Sequence, residues 1–115
     1  MKIDNIITKV QKYFLEMVKH IVLFKVKDFE NPDEKRKVLE QFRDALMALP
    51  EKISCLVSIE AQINENPAES FDLALTTVFN NYEDLATYAN HPDHVAAASI
   101  FKAVAAGRAC VDYTF

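Results

Sequence analysis

The chain has 115 residues, 50% of them hydrophobic and 26% charged, with a formal net charge of −4, the proportions of one folded domain with one core. One glycine rules out a glycine-rich phosphate loop. The acidic balance argues against a nucleic-acid surface, and no apolar run reaches the roughly 20 residues of a membrane span.

Residues 1–16 read as an amphipathic helix. Ile3, Ile6, Ile7, Val10, Tyr13 and Phe14 recur at helical spacing, with charged residues of both signs between them. This mixture suits packing on the domain or a partner subunit better than a membrane surface. The absence of a long apolar leader makes the cytoplasm the expected location.

Val18 to Lys27 is the first predicted strand. Val18, His20, Val22, Phe24 and Val26 share one face, and Lys19, Ile21, Leu23, Lys25 and Lys27 the other. Asn31-Pro32-Asp33-Glu34 is a helix start, with Asn31 as cap and Pro32 at the first helical position. Val38, Phe42, Ala45, Leu46 and Leu49 form the apolar stripe, and Pro50 ends the helix.

The second strand is expected over Ile53–Ile63, apolar on one face and largely polar on the other. The third runs Phe71–Phe79 and is apolar on both faces. A short helix starts at Tyr82, and a second, alanine-rich helix is expected from about Pro92 to Ala106. Gly107 is placed to end it in a left-handed conformation. Arg108–Phe115 closes the chain as a fourth strand.

The order β-α-β-β-α-β is the ferredoxin-like α+β arrangement, an antiparallel sheet with helices on one face. The second and fourth strands then lie at opposite edges. Cys55 and Cys110 would be too far apart to pair, and both read as buried free thiols inside strand-like runs. The helices cover one face, yet the first and third strands are apolar on both. A second copy of the chain is the simplest cover for the other face, giving a barrel-like homodimer.

Two of the three histidines fall in the corner His91-Pro92-Asp93-His94. His94 lies in the first turn of a helix, where the helix dipole disfavours the imidazolium. A neutral imidazole is what a general base needs. Tyr88, just before this corner, is placed to orient His94 or to bond a substrate carbonyl. The alternative is that His91 and His94 tie down the corner structurally. His20 is either a second pocket histidine or a core histidine bonded to backbone. The H-x-x-H spacing of the corner lacks a third ligand, so neither a metal nor a cofactor is expected.

Three segments together, MVKHIVLFK at 17–25, YANHPDHV at 88–95 and DYTF at 112–115, resemble the stress-responsive A/B barrel domain family, often shortened to Dabb. The resemblance spans residues 17–115 and leaves residues 1–16 as an extension. It implies a dimeric α+β barrel. In a plant polyketide cyclase of this family, a first-strand histidine, a tyrosine and the second histidine of an HPxH corner line the pocket. The matching positions here are His20, Tyr88 and His94. The resemblance thus implies His94 and Tyr88 as catalytic candidates. His20, His91, Val22 and Phe24 are the candidate ligand contacts.

Three functions follow: a homodimer holding a small apolar or carbonyl-bearing ligand in the barrel interior, a cyclase or lyase using a histidine base, or a stress-related association module. The domain boundary is testable by itself. Deleting residues 1–16 should leave a folded dimer by circular dichroism and light scattering, whereas a truncated chain that cannot fold would move the boundary into the extension.

Overall fold

The computed structural model describes residues 16–115. Apart from Glu16, the helix expected over residues 1–16 lies outside the described residues. The elements are β1 (Val18–Val26), α1 (Pro32–Met47), β2 (Ser58–Ile63), β3 (Leu73–Phe79), α2 (Tyr82–Asn90), α3 (Pro92–Lys102) and β4 (Ala105–Thr114). The sheet order is β2-β3-β1-β4, every pair antiparallel. This is the expected α+β ferredoxin-like topology, with β2 and β4 at the edges.

Local chemistry sets most helix ends. The Asn31 side chain accepts from the Asp33 amide at 2.9 Å, and Pro32 follows it. The Asn81 side chain accepts from the Asp84 amide at 2.8 Å and starts α2. Each cap satisfies an amide that the helix itself leaves unpaired. Asp72 ties three elements: it accepts from the Val26 amide at 2.8 Å and pairs with Lys35 Nζ at 3.0 Å.

Alternation decides which face of the sheet meets the helices. Val18, Val22, Phe24 and Val26 of β1 and Leu73, Leu75 and Phe79 of β3 are buried. Against them α1 presents Leu39, Phe42 and Leu46, and α3 presents Ala97 and Phe101. Phe24 makes edge contacts with Phe42 and Phe101, at 5.0 and 4.7 Å between ring centroids, and Phe42 stacks on Phe101 at 5.6 Å. Leu39, rather than Val38, belongs to the buried stripe of α1.

Three expectations need correction. The second strand starts at Ser58, not Ile53. A 3-10 turn over Leu49–Glu51 lets the Leu49 carbonyl accept from both the Lys52 and Ile53 amides at 2.9 Å. This winding drives Ile53 and Leu56 into the core and leaves Cys55 half-buried before the strand. The last helix ends at Lys102, and Gly107 lies inside β4 with an ordinary negative φ. The Lys27 amide bonds the Val104 carbonyl at 2.7 Å, and pairing to β1 then takes the chain from Ala105 onward, overriding the helix propensity of Ala105 and Ala106. Cys110 is exposed rather than buried, because β4 is an edge strand beyond the reach of the helices.

The Phe24–Phe42–Phe101 cluster generates a stability prediction. Phe42→Ala should cost about 3–5 kcal/mol in urea unfolding at fixed protein concentration. A loss below about 1 kcal/mol would show that the ring is not integral to the core.

Candidate functional site

β1 carries His20 on the helix-covered face, between the buried Val18 and Val22. Thr77, buried on β3, donates to the His20 carbonyl at 3.4 Å and steadies the strand there. On the other side, β4 runs antiparallel with His20 opposite Asp112, Val22 opposite Cys110 and Phe24 opposite Arg108. These β4 residues alternate onto the same face as His20.

A cavity of about 340 Å³ opens between this face and the helices. Val22, Phe24 and Leu75 floor it, while Phe42, Leu46 and Phe101 wall it from the helices. His20, His94, Lys102 and Arg108 are its polar members. Ala89 and Ala98 also line it, and their small side chains leave the space open. A larger hollow of about 460 Å³ around Lys35, Arg36, Glu65 and Asp72 is polar and contains none of the histidines. Another of about 330 Å³, around Leu23, Ile63 and Phe71, likewise lacks them.

The cavity therefore joins His20, Val22, Phe24 and His94, four of the six residues singled out from the sequence. Its position differs from the expected one. It lies between sheet and helices, on the reverse side from the face two packed sheets would share. The reason is the alternation of β1, which puts His20 with the helix-facing valines.

His94 Nδ1 lies 3.0 Å from the Ala89 carbonyl. A carbonyl can only accept, so in the neutral ring the proton sits on Nδ1 and the lone pair on Nε2. Burial lowers the pKa of His94 against the opposing effect of the Ala89 hydrogen bond, and electrostatic interaction with His20, Lys102 and Arg108 lowers it further. The ring is thus a neutral base anchored through one nitrogen.

Tyr88 does not line the cavity. It is 1% exposed and packs between Phe79, at 5.0 Å, and His94, at 4.4 Å between ring centroids. Its hydroxyl has no hydrogen-bond partner among the described residues. Burial pushes the phenol far above its ordinary pKa, so it stays protonated. Tyr88 acts on His94 as a packing surface.

His91 stands outside the cavity lining too. Its Nδ1 accepts from the Asp93 amide at 3.1 Å and caps α3, and its own amide donates to the Tyr88 carbonyl at 3.1 Å. The HPDH corner therefore divides its labour: His91 caps the helix and His94 faces the cavity.

Asp112, Cys110, Lys102 and Arg108 were missed from the sequence. Asp112 hydrogen-bonds His20 Nδ1 directly, and Cys110 Sγ lies 3.4 Å from the same nitrogen. Burial and the Asp112 carboxylate raise the Cys110 pKa, which keeps the thiol protonated. The three ligand atoms fall within 4.8 Å of one another, although the residues are far apart in sequence. Asp112 and His20 are already engaged with each other by a hydrogen bond. A signal was present: residues 108, 110 and 112 alternate on a closing strand that pairs beside the first one.

The family model described as Stress responsive A/B Barrel Domain matches residues 18–115. Among solved structures, a dimeric protein of unknown function with a ferredoxin-like fold from Bacteroides fragilis NCTC 9343 is 48% identical, with a TM-score of 0.83 over 86% of this chain and 96% of that one. A dimeric ferredoxin-like protein of unknown function from Thermobifida fusca YX is 28% identical, with a TM-score of 0.71 over 87% and 92% of the two chains. The hydroxynitrile lyase of Passiflora edulis is 16% identical, with a TM-score of 0.67 over 88% and 94%, and shares the fold alone. No curated protein matches the chain. With the family model covering all but the first residues, the chain belongs to the stress responsive A/B barrel domain family.

Proposed function

We propose that the protein is a homodimer that binds a small, largely apolar, carbonyl-bearing ligand in the cavity between its helices and sheet, with His94 Nε2 meeting the ligand's polar end. The observation that carries this reading is the pairing of His20 and His94 across an apolar cavity of about 340 Å³. That volume sits at the small end of the roughly 300–1,000 Å³ common for ligand pockets. The anchored Nδ1 proton of His94 leaves its lone pair to a ligand.

The dimer has separate support. Leu23, Val111, Tyr113 and Phe115, on the helix-free face, are 36%, 54%, 41% and 48% exposed. A contiguous apolar patch of this kind is costly to leave in water. Two relatives in the family fold are described as dimeric. Light scattering should report twice the chain mass, and Leu23→Glu with Val111→Glu should reduce it to one. A wild-type monomer would overturn this part of the reading.

A second reading, base catalysis, is favoured by the lowered pKa of His94. One probe separates the two. 2-Octanone, an apolar ketone, should bind saturably, shifting the amide resonances of Leu75, His94 and Phe101. Loss of one hydrogen bond in His94→Ala should weaken binding by about 1 kcal/mol. If His94 is a base, the protein should also speed exchange of the ketone's α-protons in heavy water, and His94→Ala should slow that exchange by roughly a hundredfold or more. Saturable binding without faster exchange would leave the binding module. No saturable binding of 2-octanone or of eight-carbon probes with a charged head would end both readings.

The pH dependence has a definite sign. The neutral ring is favoured in the folded state, so the unfolded chain binds more protons between the lowered pKa and the ordinary 6.5. His94 therefore contributes a loss of stability as pH falls below 6.5. Imidazole NMR should give a His94 midpoint under 6.5, with Nδ1 protonated in the neutral form; a midpoint at or above 6.5 would contradict the desolvated site.

A further inference from the structure

We infer that the ligand of this cavity is an anion with an apolar tail, a small apolar carboxylate, held at the cavity rim by Lys102 and Arg108. This rests on the cavity being the binding site, as proposed above. Lys102 ends α3, and Arg108 lies on β4 opposite Phe24; both line the same cavity as His20 and His94. The two cations reach one rim from opposite layers, helix and sheet.

Among the described residues neither cation is paired with a carboxylate, and Arg108 has only the Cys110 thiol as a side-chain hydrogen-bond partner. Among the described residues, Lys35 pairs with Asp72, Arg36 with Glu40 and Arg43 with Asp44, His20 is hydrogen-bonded to Asp112, and none of these contacts includes Lys102 or Arg108. Asp112, the carboxylate beside the rim, is already engaged by His20. The positive charges of both side chains reach His94. A carboxylate at the rim would neutralise that charge, and the planar Arg108 fork matches its two oxygens. Phe24, Phe42, Leu46 and Phe101 leave the deeper space to hydrocarbon. A long polar ligand would strand its donors and acceptors against these walls.

Three eight-carbon probes differing in their head test the inference: octanoate, 2-octanone and octylammonium, titrated into the full-length protein by calorimetry. Octanoate should bind about tenfold or more tighter than 2-octanone, since hydrogen bonds to charged groups outweigh neutral ones. Octylammonium should bind weakest. The octanoate preference should shrink with added salt and vanish in Lys102→Gln/Arg108→Gln, while Arg108→Lys alone, which keeps the charge but loses the fork, should keep only part of it. Both positions are exposed, and circular dichroism checks that each variant folds. Equal binding of octanoate and 2-octanone, a preference for octylammonium, or a preference that survives in the double variant would overturn the inference while leaving the cavity a ligand site. Failure of all three probes would remove the cavity reading and the anion with it.

Discussion

A central strand has to pair its amides and carbonyls on both sides, and β1 does so with β3 on one side and β4 on the other. Unpaired buried backbone groups are costly, so this double pairing leaves little freedom in register. Everything at the site follows from it. The pairing with β3 sets His20 over Thr77, and the pairing with β4 brings Asp112 to His20 and Arg108 to Phe24. A slip of one residue would turn His20 to the helix-free face and dissolve the site. The bulge at Lys25/Val26 adjusts the ladder next to the turn that β4 leaves behind at α3.

The helical layer then decides that the site is a cavity rather than solid core. Phe24, Phe42 and Phe101 interlock at ring distances of 4.7 to 5.6 Å and prop α1 and α3 over the sheet. Aromatic rings are stiff and pack edge to face, so they hold a spacing that aliphatic chains would fill. Beside them the wall is completed by Ala89 and Ala98, which are too short to reach β1. Rigid rings next to small residues produce a hollow, and the polar groups at its rim are those that the sheet edge and helix end carry there.

Electrostatics differentiates groups that look alike in the sequence. His91 and His94 share a corner, yet one accepts from a helix amide and the other donates to a carbonyl outside its helix. The first is consumed in capping. The second keeps a lone pair in a partly desolvated setting bordered by positive charge, which holds it neutral. Tyr88 behind it contributes a flat, dry surface with its phenol proton retained. The same fold is found in a hydroxynitrile lyase from Passiflora edulis and in proteins of unknown function from bacteria. The fold by itself therefore does not specify an activity.

What the sequence determined by itself was local. Alternation along β1 and β3, the caps at Asn31 and Asn81, and the turn at His91-Pro92 depend on neighbours within a few residues, and they yielded the element order and the antiparallel topology with β2 and β4 at its edges. His20 and His94 were legible for the same reason: one sits in a clear period of two, the other in a clear helix start. Only tertiary structure decided where β2 begins, that Gly107 extends a strand instead of ending a helix, and that Cys110 is exposed. Those outcomes are set by hydrogen bonds and cover from distant segments, which local propensity cannot express. The Asp112 and Arg108 contributions belong to this second class. Ninety-two residues separate His20 from Asp112, and the register of two strands turns that separation into a hydrogen bond.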